Sequence, residues 1–427
     1  MKRMLTAMAA GLVVACAAIA QGGEWPRFLG PNGTGVIAEG EKVARAWPAA
    51  GPQVLWTIKV GEGFGGASIA GGKVYLLDRD GNERDIFRVL DLKTGETLWE
   101  YPYATGPLKA SHPGSRSTPT VDGDRVYTIG LMGDVHCFDV PGRKVVWNKS
   151  LRTDFDADAV PWGFAQSPLI LRDMVIAAAP GKTTGLIALN KLTGETIWKS
   201  EPFGSCDTYT SPMLVTIAGE EQVLNWHRGA LAAVDPADGK MLWKHSWRTN
   251  RPVPQPVHLG DGRFFLTIGY GGGCAMIKVA KSDNGSAGGG GGGWTVSEIF
   301  QDDRSGSRVP PALFYDGHVY TNSDDNRRGL QCLDGNGDVK WETVNKPSFG
   351  QGSMIIADGV IFIIADRTGE LVMAEANPTA YKELGRAKLL GGHDVWAPMA
   401  LSDGKLILRD QSQMKCVDVG ASATGGG

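Results

Sequence analysis

Short runs of alternating apolar and polar residues, each ended by Gly, Asp or Asn, recur along almost the whole chain, and their period of two is that of half-buried β-strands. One stretch shows the unit: Ser117-Thr-Pro-Thr-Val121, a turn at Asp122-Gly-Asp, Arg125-Val-Tyr-Thr-Ile129, Gly133, then Asp134-Val-His-Cys-Phe-Asp139. A fourth strand follows a recurring phrase, fullest as Asp91-Leu-Lys-Thr-Gly-Glu-Thr-Leu-Trp99. It returns as Phe138-Asp-Val-Pro-Gly-Arg-Lys-Val-Val-Trp147, Leu189-Asn-Lys-Leu-Thr-Gly-Glu-Thr-Ile-Trp198, Val234-Asp-Pro-Ala-Asp-Gly-Lys-Met-Leu-Trp243 and Leu333-Asp-Gly-Asn-Gly-Asp-Val-Lys-Trp341. In each copy the Asp or Asn caps a turn, the Gly supplies positive φ, and the Trp lands on the next strand. Trp99, Trp147, Trp198 and Trp243 stand 48, 51 and 45 residues apart, the period of a propeller blade of four short strands.

Laid end to end, the units predict seven complete blades, beginning near residues 67, 117, 167, 211, 256, 311 and 353. The seventh replaces the turn Gly with Asn377-Pro378 and is expected to replace the Trp with Tyr381 or a neighbour. An eighth copy has only three strands, Ala397 to Leu401, Leu406 to Arg409 and Lys415 to Asp418. The run Pro52 to Val60 alternates as a lone strand and carries Trp56 in phase with the other Trp residues, so it supplies the missing strand and closes the ring without a bare sheet edge. The expected fold is therefore all-β: an eight-bladed propeller of four-stranded antiparallel blades over residues 51–420. A turn-rich segment, 21–50, lies across it, and a polar tail, 421–427, follows. Neighbouring blades diverge with radius, so a bulky Trp on the outer strand fills the gap. Six consecutive Gly between Ser282 and Trp294 read as a surface loop interrupting blade five.

The 60 Gly and 23 Pro agree with a turn-rich β protein, and a formal net charge of −3 argues against a nucleic-acid binder relying on a basic face. Met1-Lys-Arg3 and the apolar run to Ala20 read as a signal peptide (residues 1–20) that exports the chain to the periplasm or medium, with Ala18-Ile-Ala20 at the cleavage site. An alternative takes Val13-Val-Ala-Cys16 as a lipobox and makes Cys16 the anchor of an outer-membrane lipoprotein. No later run is apolar enough to span a bilayer. Cys137, Cys332 and Cys416 each stand two residues before the repeat Asp, where other copies carry Val89, Ala188 and Ala233, and so are expected as buried free thiols.

Most chemical motifs dissolve into the repeat. Gly61-Glu-Gly-Phe-Gly-Gly66 has dinucleotide-loop spacing, but a strand follows where the pyrophosphate needs a helix N-terminus. Asp334-Gly-Asn-Gly-Asp338 imitates a calcium loop, yet Val339 stands where that loop requires Gly. The His and Cys spacings match no zinc site. No catalytic, cofactor-binding or metal residue is assigned, and no cofactor is expected.

The lead-in loops before each innermost strand are different. They are marked by a small residue and Pro, as at Ser117-Thr-Pro119, Gln166-Ser-Pro168, Thr210-Ser-Pro212 and Ala397-Pro398. In a propeller such loops ring the axis on one face. They carry Phe64, His112, Arg116, Trp162, Phe164, Asp207, Tyr209, Arg251, Arg304, Arg308, Phe349, Gln351, His393 and Trp396. The candidate binding face is Phe64, His112, Arg116, Trp162, Tyr209, Arg251, Arg308, Gln351, His393 and Trp396. Arg supplies charge and Trp or Tyr supplies stacking area for an anionic, sugar-like or peptide ligand.

With its Asp-x-x-Thr-Gly-Glu-x-x-Trp phrases, the chain resembles the pyrroloquinoline quinone (PQQ)-like β-propeller repeat family over nearly all residues after about 50, and Glu24-Trp-Pro-Arg-Phe-Leu-Gly-Pro-Asn-Gly-Thr-Gly35 is similar to the opening of secreted bacterial members. That family includes quinone-dependent alcohol dehydrogenases and an outer-membrane assembly lipoprotein. The resemblance implies, for the enzymes, PQQ held between a Trp and a disulfide of adjacent cysteines, with calcium on Glu and Asn and an Asp base. This chain has no adjacent cysteine pair, so none of those residues carries over. The favoured expectation is an exported, monomeric, non-catalytic module that binds a protein partner in the cell envelope or a small ligand at its axial face. A PQQ- and calcium-dependent oxidoreductase and a carbohydrate- or small-ligand-binding propeller stand as alternatives.

Overall fold

A computed structural model describes residues 23–421 except 38, 109–110, 113, 206–207, 248–250, 283–292 and 345. The leader, Cys16, Cys206, Asp207, most of the glycine run and the tail beyond 421 lie outside the described residues. The described residues are all-β and form eight antiparallel blades of four strands each. Blade one is Ser68–Ala70, Lys73–Asp80, Arg84–Asp91 and Thr97–Ala104, from the axis outward. Blade eight is Ala400–Ser402, Lys405–Arg409 and Gln413–Asp418, completed outside by Gln53–Lys59, which runs antiparallel to Gln413–Asp418. Trp56 thus closes the ring. Among the described residues no helix is long and apolar enough to cross a membrane.

The repeat phrase joins blades as well as strands. Gly95, Gly194 and Gly239 hold φ of 74°, 75° and 75°, and a Cβ on each would meet the ring of Trp56, Trp147 or Trp198 at 2.8, 2.8 and 2.6 Å. Each of these Trp residues belongs to the preceding blade in the ring. Its indole N–H donates to the turn it covers, at Leu92 O (2.9 Å), Lys191 O (3.0 Å) and Pro236 O (3.0 Å) respectively. The Gly is therefore required twice, for backbone conformation and for contact. In all eight blades the outer strand pair carries a β-bulge beside the Trp position, which adds twist and turns that side chain onto the next blade. Cys137, Cys332 and Cys416 pair across the sheet with Trp147, Trp341 and Trp56, and all are buried free thiols.

Blade seven departs from expectation. The residue in the Trp register is Gly385, opposite Met373, and not Tyr381. Its missing bulk comes from Trp47, whose ring lies 3.5 Å from where a Gly385 Cβ would stand. Tyr381 packs instead on Trp341 of blade six, at 6.1 Å between centroids.

The N-terminal segment crosses one end of the axis. Trp25, 1% exposed, bridges Ile69 of blade one. Pro26 O accepts from the Val121 amide of blade two, and Val36–Ile37 runs parallel to the innermost strand Met354–Ala357 of blade seven. Phe28 and Leu29, between these anchors, lie across the channel.

A half-buried acid, Asp134, sits between blades one and two. Burial, then the nearby Asp85 charge, pushes Asp134 up to about 6, and its Oδ2 has no hydrogen-bond partner among the described residues. A raised carboxylate favours the fold below the usual carboxylate range and loses that contribution as pH rises through about 6, leaving the ionised form a cost of about 1–3 kcal/mol. Asp134→Asn is expected to melt above the wild type at pH 8 and to lose that advantage at pH 4. Thermal melts across this range check it; a pH-independent difference would refute the assignment.

Candidate functional site

The lead-in loops are tied to one another by their small hydroxyl residues. The Gly66 amide donates to Thr118 Oγ1 (3.2 Å), Thr118 to Ser167 Oγ (2.9 Å), Ser167 to Ser211 Oγ (2.8 Å), and Ser211 to Gln255 Oε1 (3.0 Å). The first residues of blades two to five thus satisfy the backbone of the blade before, which ties these loops together while larger neighbours face the axis. Acids at the far end of the second strands brace the same loops: Asp78 accepts from the Gly61 amide, Asp324 from Arg308, Asp366 from Gln351 and Asp410 from Gly391, at 2.8 to 3.0 Å.

Inside this ring is a cavity of about 540 Å³. Nine of the ten candidate residues line it: Phe64, His112, Arg116, Trp162, Tyr209, Arg251, Arg308, Gln351 and Trp396. Phe28, Leu29, Val253, Val309, Met354, Ile355 and Met399 add apolar surface, Phe28 and Leu29 from the crossing segment. His393 stands outside; its side chain is 86% exposed and its Nδ1 faces Asp394 at 3.4 Å. Of the wider set, Phe164 and Phe349 are buried packing residues, 2% and 1% exposed. Arg304 follows the outer strand of blade five, where it pairs with Asp302 at 2.6 Å and covers Phe300 at 4.2 Å.

The aromatic walls are mutually ordered. Phe64 stacks on Trp396 at 5.0 Å, His112 lies 5.1 Å from Trp396, and Trp162 lies 6.3 Å from Tyr209. Trp396 Nε1 donates to Asp366 (3.3 Å) and His112 Nε2 faces Asp394 (3.3 Å). His112 holds φ of 82° and Asp394 50°, the left-handed region that non-glycine residues occupy only where the surroundings impose it.

Three guanidiniums enter these walls. Arg116 lies over Phe64 at 4.7 Å and donates to Trp162 O (2.7 Å) and to His112 O. Burial lowers its pKa to about 10. Arg251 lies over Trp162 at 4.2 Å and Tyr270 at 5.5 Å. Arg308 pairs with Asp325 (3.0 Å) and Asp324 (3.5 Å). No Asp or Glu lines the cavity among the described residues. The arrangement attracts an anion that also carries flat or apolar surface.

Tyr270, missed by inspection of the lead-in loops, sits in the turn between the second and third strands of blade five. Such turns open on the same face as the lead-in loops. Gly269-Tyr-Gly-Gly272 between two strand runs was the available signal.

A family profile described as "Outer membrane protein assembly factor BamB" matches residues 11–118 and 88–285. Two curated proteins named polyvinylalcohol dehydrogenase are similar: that of Sphingopyxis sp. (strain 113P3) is 29% identical over 188 residues, 39% of this chain and 26% of its own length. That of Pseudomonas sp. is 26% identical over 182 residues, 38% of this chain and 27% of its own. The matched stretch thus spans about a quarter of each relative. Quinohemoprotein alcohol dehydrogenase from Comamonas testosteroni has a similar structure, with TM-score 0.65, 13% identity, and coverage of 96% of this chain and 83% of that one. BamB from Moraxella catarrhalis gives TM-score 0.59, 13% identity, and 88% and 99% coverage. At these identities the structures share the fold. The expectation of no cofactor is corrected by these matches, since the similar proteins include dehydrogenases by sequence and quinohemoproteins by fold.

Proposed function

We infer, for a chain that belongs to the PQQ-like β-propeller repeat family described as outer membrane protein assembly factor BamB, that the propeller works in the cell envelope as a binding module whose axial cavity takes an anionic ligand with a flat or apolar body. The observation that carries this reading is the lining itself, three Arg among aromatic rings with no carboxylate among the described residues. A protein partner delivering an acidic, aromatic segment would use the same cavity, and the family description favours such a partner. Arg116→Ala combined with Trp396→Ala is expected to abolish capture of the partner from a membrane fraction, and quenching of tryptophan fluorescence by aromatic carboxylates, while moving the melting temperature by only a few degrees. Unchanged capture and quenching would place the binding surface elsewhere.

A second reading, a quinone-dependent oxidoreductase, is favoured by the dehydrogenase matches. The cavity's guanidiniums and flat walls fit the carboxylates and fused rings of PQQ; Arg116, Arg251 and Trp162 would hold it, and the quinone would supply two-electron oxidation of an alcohol. Calcium fits poorly, since no group of three or more His, Cys, Asp or Glu is placed to hold a metal among the described residues. Calcium-independent, stoichiometric PQQ binding by calorimetry, with turnover of polyvinyl alcohol and an electron acceptor, would establish it.

A further inference from the structure

We propose that the axial cavity selects dianions, because it presents two uncompensated guanidiniums, Arg116 and Arg251, while Asp324 and Asp325 hold the third, Arg308, neutralised. This rests on the reading of the cavity as an anion site and specifies its ligand.

Arg308 is committed to its own blade. Its Nε and Nη1 face Asp325 and Asp324 at 3.0 and 3.5 Å, and its amide donates to Asp324 at 2.9 Å. Asp325 is fixed in turn by the Gly271 amide at 2.6 Å. A ligand carboxylate reaching Arg308 exchanges one anion for another and gains little.

Arg116 and Arg251 differ. Among the described residues both hydrogen-bond partners of Arg116 are carbonyl oxygens, which orient a guanidinium without cancelling its charge. Arg251 has aromatic neighbours and no carboxylate within ion-pair distance among the described residues. A ring quadrupole attracts a cation but leaves it charged, and the N–H edge of a stacked guanidinium is the edge that forks a carboxylate. The lowered pKa of Arg116 reflects the same uncompensated burial. Among the described residues, Asp366 and Asp394 meet Trp396 and His112 and stand outside the lining. Two carboxylates therefore find partners, and Trp162 stands beside both, its carbonyl orienting Arg116 and its ring lying under Arg251, while Phe64 and Trp396 add flat wall. The ligand class is a flat dicarboxylate.

Calorimetry on the full chain at fixed ionic strength, with benzoate, benzene-1,3- and benzene-1,4-dicarboxylate and benzene-1,3,5-tricarboxylate as probes, tests this. The better dicarboxylate is expected to bind at least about 10-fold more tightly than benzoate, and the tricarboxylate no more tightly than the dicarboxylate. Arg116→Gln and Arg251→Gln should each remove about 10-fold for the dicarboxylate and bring it level with benzoate. Asp324→Asn combined with Asp325→Asn, which keeps an oxygen for the Arg308 and Gly271 amides, should free the Arg308 guanidinium and give the tricarboxylate the advantage. Equal binding of benzoate and dicarboxylate by the wild type would overturn the selection of dianions and leave the anion site standing. A wild-type preference for the tricarboxylate would overturn the neutralisation of Arg308. No binding of any probe would overturn both readings, and the wild-type series decides even where a variant fails to fold.

Discussion

Removal of residues 21–60 is expected to abolish cooperative folding or lower the melting temperature by tens of degrees, an effect far beyond that of trimming a loose terminus. The deletion takes away the outer strand of blade eight and bares the Gln413–Asp418 edge to solvent and to other chains. It also removes Trp56, 8% exposed, and Trp25, 1% exposed. A buried aromatic of roughly 150–250 Å² contributes about 4–6 kcal/mol as an upper figure, while whole domains are stable by only about 5–15 kcal/mol. The loss of Val36–Ile37 from blade seven and of Trp47 above Gly385 adds to the same side. Differential scanning calorimetry of the full and shortened chains measures it. A peptide of residues 51–61 added in trans should recover part of the transition, because the edge it completes is intact. Equal melting temperatures would show that the ring is not closed by this strand.

The second large effect is expected at the joint between blades three and four. Trp198→Ala empties a site that is 7% exposed and loses the bond to Pro236 O, a change of about 3–5 kcal/mol. Gly239→Ala should cost about 2–4 kcal/mol, since it forces an L side chain to φ of 75° and drives a methyl to 2.6 Å from the Trp198 ring. Both substitutions break one contact, so the double variant should lose clearly less than the sum of the two. Chemical denaturation of the three variants gives this coupling directly. Strict additivity would mean that the Trp fills a gap without gripping the turn it covers.

Strand positions, blade count and ring closure were legible because each depends on short-range chemistry that repeats: a capping Asp, a Gly at positive φ and period-two alternation mark the same four strands in turn. The axial residues were legible for a related reason. Arg116, Trp162, Tyr209 and Trp396 all stand in lead-in loops, within a few residues of the Pro that precedes an innermost strand, and in a propeller those loops gather around the axis on one face. Tyr270 escaped because a different loop of the blade opens on that face. Phe28 and Leu29 escaped because their segment has no repeat phase, and blade seven misled because its Trp is supplied by Trp47, remote in the chain from Gly385.

By itself, then, the sequence determined the propeller and the ring of aromatic and basic side chains around its axis, since local turn chemistry and periodic burial leave such a repeat one way to close. The tertiary structure alone decided how charge is distributed in that ring. Arg116, Arg251 and Arg308 look alike along the chain, yet Arg308 meets Asp324 and Asp325 on the neighbouring turn of its own blade while Arg116 and Arg251 meet carbonyls and rings. Electrostatic compensation is set by distances of a few ångströms between residues that the fold brings together, and sequence spacing does not encode those distances.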